Sequence, residues 1–167
     1  MITAIVTAGK NWAIGKNGLQ VTSIPDDTRY IRTVTSGNIA IMGRKTFESI
    51  PQGQLPTNRT NIVLSKSMEN ATPGVIICRN VNDVIEEVNK IGKEAFVIGG
   101  GTAFNSLLPY TEEIQVTFVD YIYDADTYFE DLDRRPEWVL MSESEEMTHF
   151  DTIYHLRRYN RRKDYKG

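Results

Sequence analysis

Short apolar segments alternate with helical segments through the first two thirds of this 167-residue chain. Residues 2–7 are apolar and rich in β-branched side chains, which predicts a buried strand. Residues 81–91 carry apolar side chains at the spacing of an amphipathic helix. The same reasoning predicts further strands at residues 38–42, 60–64, 75–78 and 95–98. It also predicts helices at residues 25–34 and 102–108, and a short helix that follows the turn at 43–46 and ends at residue 50. Such alternation is typical of a parallel sheet covered by helices.

From residue 113 onward the pattern changes to long strands, predicted at residues 113–121, about 138–145, and 151–159. The sequence therefore predicts an α/β fold in a single domain. Its central sheet should be mainly parallel and twisted, with an antiparallel C-terminal strand pair and helices on both faces. We expect the domain to span residues 1–160 and a basic tail to follow at 161–167.

The first helix has a clear start signal. Ser23 is predicted to cap it, Pro25 suits its first turn, and Asp26 and Asp27 favour the positive end of the helix dipole. Residues 10–24 before it show no periodicity, so they are predicted to form a long loop.

Composition narrows the class of protein. The net charge of -3 gives no reason to expect a nucleic-acid partner, and Cys78 as the single cysteine excludes an intrachain disulfide. His149 and His155 lack partners at metal-ligand spacing, so no metal site is predicted. The apolar start is too short for a membrane span, and we expect a cytoplasmic monomer without membrane contact. The basic residues within 157–167 predict a solvated strand end and tail, or alternatively a weak polyanion site.

Two glycine-containing turns follow neighbouring predicted strands. Residues 99–101 are all glycine, and residues 43–46 read Gly-Arg-Lys-Thr. Backbone N–H groups in such turns can approach an anion closely, although a tight turn without a ligand explains a triple glycine equally well. Two adjacent anion sites indicate a dinucleotide. Because the Rossmann fingerprint is absent and Lys66 adds a further cation, NADP is favoured over NAD.

No single residue of the sequence identifies the reaction that the protein catalyses. Asp27 near the helix start is a candidate acid–base group, but helix N-terminal acids are more often solvated. Arg59 is a candidate anion ligand, although lone arginines are usually solvated as well. Spacing alone therefore assigns no catalytic pair.

The order of several motifs then decides between these interpretations. These motifs are Ile14-Gly15, Ile24-Pro25-x-Asp27, Ile41-Met42-Gly43-Arg44-Lys45-Thr46-Phe47-Glu48-Ser49-Ile50, Leu55-Pro56-x-x-Arg59-x-Asn61, Val97-Ile98-Gly99-Gly100-Gly101 and Asp126-Thr127-x-Phe129. In this order and spacing they resemble the dihydrofolate reductase family over essentially the whole chain.

The resemblance implies NADPH-dependent reduction of 7,8-dihydrofolate, with Asp27, Thr117 and Thr22 as the catalytic group. Asp27 would bind the pterin and assist protonation at N5, and Arg59 would grip the glutamate of the substrate. The implied substrate-binding residues are Ile5, Val6, Asp27, Thr28, Ile31, Ile50, Leu55, Arg59 and Thr117. The implied NADPH-binding residues are Thr7, Ile14, Gly43, Arg44, Lys45, Thr46, Leu64, Ser65, Lys66, Ile98, Gly100, Gly101, Thr102, Ala103 and Phe104. The segment 10–24 would be a mobile lid.

The chain departs from the family pattern near the pterin. Thr22 stands where the family usually has tryptophan, Thr28 replaces a usual leucine, Ile31 a usual phenylalanine, and Phe104 an often-found tyrosine. These changes predict weaker binding of trimethoprim-like inhibitors. Two alternatives stay open at this point: a pyrimidine reductase of the same fold, and a homologue that binds pterin or nucleotide without turnover.

Overall fold

The computed structural model describes residues 1–69 and 72–163, which form twelve strands and four α-helices. The strands are β1 Ile2–Gly9, β2 Ala13–Lys16, β3 Leu19–Gln20, β4 Ile39–Gly43, β5 Thr60–Leu64, β6 Val75–Cys78, β7 Ala95–Gly99, β8 Glu113–Val119, β9 Thr127–Tyr128, β10 Trp138–Glu143, β11 Met147–His149 and β12 Thr152–Arg161. The helices are α1 Pro25–Thr35, α2 Arg44–Ser49, α3 Val81–Ile91 and α4 Gly101–Leu107. Short 3-10 turns follow α4 and precede β10.

One nine-stranded sheet organises the molecule, in the order β10-β12-β8-β1-β7-β4-β5-β6, with β11 paired to β12. The strands from β8 to β6 run parallel to their neighbours, whereas β12 is antiparallel to β8, β10 and β11. The predicted α/β domain with a mainly parallel sheet and antiparallel C-terminal strands is confirmed.

Alternate side chains of the central strands enter different apolar clusters. On β4, Ile39 and Ile41 join the cluster that includes residues of α3 and α4, whereas Ala40 and Met42 join the cluster against which Phe47 of α2 packs. Successive side chains of a strand point to opposite faces of its sheet. Helices therefore cover both faces, as the sequence predicts.

The prediction that Ser23 caps α1 is wrong. Ile24 is the N-cap, with extended backbone angles, and no side chain provides a capping hydrogen bond. Pro25 explains the difference, because the residue before a proline is held in the extended region. The buried Ile24 side chain packs near Val119 and Tyr154, which leaves Ser23 exposed and outside the cap.

The prediction of an unstructured loop at 10–24 is also wrong. Within it β2 and β3 form a hairpin, and β2 pairs with β9 in a separate three-stranded sheet. Asn17 and Gly18 form the turn with φ of 53° and 80°. Positive φ at both positions is what the hairpin turn favoured by Asn-Gly requires. The segment expected to be a lid is thus a hairpin attached to residues 127–128.

The start of the predicted basic tail packs against the domain. Arg161 lies in β12, stacks on Trp138, and donates hydrogen bonds to the carbonyl oxygens of Leu108 and Thr111. Residues 164–167 of that tail lie outside the described residues. Within 1–69 and 72–163, no helix is long and apolar enough to span a membrane.

Candidate active site

Asp27 lies in the first turn of α1 and rests against two neighbouring strands of the sheet. Thr7 of β1 donates its hydroxyl to Asp27 Oδ2 at 2.7 Å, and Thr117 of β8 donates to Oδ1 at 2.8 Å. Thr7 and Thr117 are direct partners in the register of the two parallel strands, so their side chains leave the same face. Each carboxylate oxygen therefore has its own hydroxyl donor.

Burial and hydrogen bonding act in opposite directions on this carboxylate. Burial raises the pKa of Asp27 above its ordinary value, and the hydrogen bonds from Thr7 and Thr117 partly offset that increase. Desolvation disfavours the charged form, whereas a donor to the charged form favours it. A raised pKa at the edge of a cleft is typical of groups that exchange protons during a reaction.

A cleft of about 1040 Å³ opens beside this carboxylate. The predicted site residues that line it are Ile5, Val6, Thr7, Ile14, Ile31, Lys45, Thr46, Ile98, Gly100, Gly101, Thr102 and Phe104. Thr7, expected only beside the cofactor, thus both borders the cleft and bonds Asp27. The cleft brings predicted substrate and cofactor residues to one space.

A second cleft of about 460 Å³ lies at the ends of β4, β5 and β6. The predicted residues that line it are Gly43, Arg44, Lys45, Thr46, Leu64, Ser65, Lys66, Gly100, Gly101, Thr102 and Ala103. Its cations differ in their partners. Arg44 pairs with Glu48, one helical turn away, at 3.0 Å, while Arg79 donates to the carbonyl oxygen of Lys66 at 3.2 Å. The cleft thereby concentrates positive charge suited to a phosphate.

The glycine turn between the clefts packs closely against Thr46 and Thr127. A Cβ on Gly101 would lie 2.5 Å from Thr127 Cγ2, and one on Gly99 would lie 3.0 Å from Thr46 Oγ1. A side chain at position 101 would therefore force Thr127 to move, and one at position 99 would require a smaller shift of Thr46. A backbone this closely packed, between an apolar-walled cleft and a cationic one, fits an elongated dinucleotide that spans both.

Arg59 is half-buried and is held by two side-chain hydrogen bonds. Its Nε donates to Asn61 Oδ1 at 2.8 Å and its Nη1 to Thr35 Oγ1 at 2.9 Å. Burial, and then the nearby positive charge of Arg32, lower the pKa of Arg59. A guanidinium has five N–H donors, so a fixed group next to a second arginine can still bind a carboxylate in bidentate fashion. Ile50 and Leu55 pack on the adjoining apolar cluster.

The model of the family described as dihydrofolate reductase matches residues 1–161. The chain belongs to this family. The dihydrofolate reductase of Bacillus subtilis is 34% identical over 142 residues, which cover 85% of this chain and 82% of that protein. The type 8 dihydrofolate reductase of Escherichia coli is 34% identical over 131 residues, covering 75% of this chain and 78% of that protein.

A solved structure supports the same assignment. The dihydrofolate reductase of Enterococcus faecalis, determined in complex with NADP(H) and RAB-propyl, superposes with a TM-score of 0.84 at 25% sequence identity. The match covers 98% of this chain and 97% of that one. The agreement therefore extends over nearly the full length of both chains.

Seven predicted site residues line neither of the two clefts, namely Thr22, Asp27, Thr28, Ile50, Leu55, Arg59 and Thr117. Thr22 is half-buried, Thr28 is exposed, and neither borders the two clefts described above. Ile31, one helical turn beyond Asp27, does line the larger cleft. Of the four positions where the chain departs from the family pattern, Ile31 and Phe104 are the two that line this cleft.

Several residues that line the two clefts were not predicted from the sequence. The additional residues of the larger cleft are Gly15, Asn17, Gly18, Leu19, Gln20, Ser23, Ser49, Gly99, Asn105, Asp126, Thr127 and Tyr128, and those of the smaller one are Ser67, Arg79, Val81 and Ser106. The Asn17-Gly18 dipeptide is a hairpin signal that could have indicated the members of the first set at residues 15–20. Arg79 directly follows β6, and ligand-binding groups gather at such strand ends.

Proposed function

We propose that this protein reduces 7,8-dihydrofolate to 5,6,7,8-tetrahydrofolate with a hydride from NADPH, as a cytoplasmic monomer. The main observation behind the proposal is the carboxylate of Asp27, which accepts hydrogen bonds from two threonine hydroxyls beside the larger cleft. The larger cleft shares part of its wall with the smaller, cationic cleft. The proposal further rests on the family membership of the chain.

Asp27 would bind the pterin and hold a proton for the reaction. An ionised carboxylate has about four lone-pair positions, and the two hydroxyls occupy one on each oxygen. A remaining position on each oxygen can accept the parallel N–H groups at N3 and the 2-amino group. Because burial raises its pKa, Asp27 takes up a proton more readily than a solvated aspartate and assists protonation at N5.

Arg59 would anchor the other end of the substrate. Asn61 and Thr35 hold its guanidinium, which leaves donors for the α-carboxylate of the glutamate. Retention of Arg59 together with Asp27 favours a folate over the small substrate of a pyrimidine reductase of the same fold. Between these two ends, Ile5 and Ile31 provide apolar walls of the cleft.

The second cleft would hold the phosphate-bearing part of NADPH. When bound, NADPH supplies the hydride to the pterin. Ser65, Lys66 and Arg79, which line this cleft, would contact the 2′-phosphate, and the glycine turn would allow close approach of the cofactor to the backbone. Thr7, Ile14 and Ile98 border the larger cleft where the nicotinamide would stack. The β2–β3 hairpin, which contributes Asn17 to that cleft, would exclude water during transfer.

The direct test is the loss of NADPH absorbance in the presence of dihydrofolate. We expect turnover that requires both compounds and that produces tetrahydrofolate. Absence of turnover, with normal binding of NADPH measured by fluorescence, would instead identify a non-catalytic binding homologue. Turnover with a pyrimidine substrate but not with dihydrofolate would identify the pyrimidine reductase alternative.

A further inference from the structure

Asp27 accepts a hydrogen bond from each of two threonines, and these belong to different strands. We propose that Thr7 is a positioning residue for Asp27, which together with Thr117 forms a two-hydroxyl clamp that fixes the carboxylate plane and favours its ionised form. The inference rests on the proposed function, because it concerns the acid–base group of that reaction. Thr7 acts through Asp27 and is not itself a proton donor to the substrate.

The strand register makes the clamp symmetric. Thr7 and Thr117 are direct partners on β1 and β8, and neighbouring strands lie about 4.8 Å apart. That spacing lets one hydroxyl reach Oδ2 at 2.7 Å and the other reach Oδ1 at 2.8 Å. Threonine side chains are stiff at χ1, so both donors are oriented before a ligand arrives. A single donor would leave the carboxylate free to rotate about its Cβ–Cγ bond.

Other charges do not explain the state of this carboxylate. β1 and β7 carry no ionisable side chain, and Glu113 on β8 pairs with Arg158 of β12 at 3.4 Å. On α1 itself, Asp26 pairs with Arg29. Burial raises the pKa of Asp27, and the two hydroxyls lower it. The clamp is therefore the feature that opposes desolvation and keeps the ionised form accessible.

Thr7 also borders the larger cleft, next to positions expected to meet the nicotinamide. Thr7 therefore both lines the part of the cleft expected to hold the cofactor and donates a hydrogen bond to the Asp27 carboxylate. Removal of that hydroxyl should change the proton equilibrium of Asp27 while the fold of β1 is kept.

The test compares Thr7→Val, which removes the hydroxyl at nearly constant shape, with Thr7→Ser, which keeps the donor. Thr3→Val is the matched control, because Thr3 is buried on the same strand but is registered with Glu113 at the far end. The Asp27 carboxyl resonance is followed by carbon NMR in the full chain without ligands, and its absence in Asp27→Asn assigns it. Should the valine variant not fold, Thr7→Ala provides the same loss of donor.

We expect the titration midpoint of Asp27 to move to higher pH in Thr7→Val, to return toward the original in Thr7→Ser, and to stay unchanged in Thr3→Val. The ratio of turnover rates at two pH values on either side of the midpoint should change by roughly three- to tenfold. An unchanged midpoint in Thr7→Val, or no recovery with serine, overturns the clamp. Because the NMR titration needs no turnover, it tests the clamp even in a protein that fails to reduce dihydrofolate.

Discussion

The carboxylate site and the cationic cleft recognise their ligands in different ways. At the first, one half-buried carboxylate is held by two hydroxyls, and burial dominates its pKa. At the second, Lys66 and Arg79 are exposed, and Arg44 is shared with Glu48. A buried group depends on the exact donors around it, whereas exposed charges act additively through water. The comparison teaches that one carboxylate depends on two specific donors, whereas the cationic cleft presents exposed charges that solvent can screen.

The largest expected effect is at the carboxylate. Asp27→Asn should fold but lose roughly 10²–10⁴-fold in turnover at neutral pH, because an amide keeps some hydrogen bonds but cannot carry the proton. Lowering the pH should partly restore the rate, since N5 is then protonated from solvent. Asp26→Asn is the matched control, because Asp26 is exposed and pairs with Arg29. Steady-state turnover of both variants, measured across a range of pH, tests this prediction. A loss of turnover below about tenfold in Asp27→Asn would contradict the role of Asp27 in proton transfer.

The next effect concerns inhibitors at the same site. We expect trimethoprim to bind roughly 10- to 1000-fold more weakly than to a relative with Trp, Leu and Phe at positions 22, 28 and 31. Ile31→Phe should recover most of the affinity, since Ile31 lines the cleft, whereas Thr22→Trp and Thr28→Leu start from residues outside it. Inhibition constants of the three variants test this. Tight binding by the unmodified protein, unchanged in Ile31→Phe, would refute it.

At the cationic cleft a smaller effect is expected. Lys66→Ala and Arg79→Ala should each lower kcat/KM for NADPH by roughly fivefold, because an exposed ion pair contributes about 1 kcal/mol or less. The value for NADH should not change, and added salt should shrink the difference. Lys93→Ala provides an exposed lysine outside both clefts as the control. Equal use of NADPH and NADH by the unmodified protein would show that these cations do not bind the 2′-phosphate.

Features that depend on a local sequence pattern could be predicted from the sequence, whereas those that depend on contacts between distant residues could not. Strands such as β4 and β5 were predictable because each carries its apolar pattern locally. The pairing of β2 with β9 was not, since its partners are more than one hundred residues apart and only two residues of β9 take part. The bond from Thr7 to Asp27 depends on the register of β1 against β8, which no local pattern encodes. Arg79 could have been found from its place after β6.

The roles of the site residues came from family resemblance rather than from spacing. Asp27 alone is indistinguishable from an ordinary helix N-terminal acid, and Arg59 from a solvated arginine. The structure distinguishes them by their partners, because Asp26 pairs with Arg29 at the surface while Asp27 faces the sheet. Burial and hydrogen bonding, which depend on the whole fold, are what give one of two adjacent aspartates its chemistry.

The smallest expected effect is on stability, and it arises at the carboxylate site. Burial raises the pKa of Asp27, so the folded protein binds this proton more tightly than the unfolded chain does. The resulting stabilisation is complete below the pKa of an unfolded aspartate and is lost as the pH rises through the raised pKa. Asp27→Asn should therefore be more stable than the unmodified protein at neutral pH, by about 1 kcal/mol or less, and lose that advantage in acid. Lys66→Ala is the comparison variant at the cationic cleft, where the side chain is exposed. Urea unfolding at neutral and acidic pH measures both, and an Asp27→Asn protein that is less stable at neutral pH would mean that the threonine clamp outweighs burial.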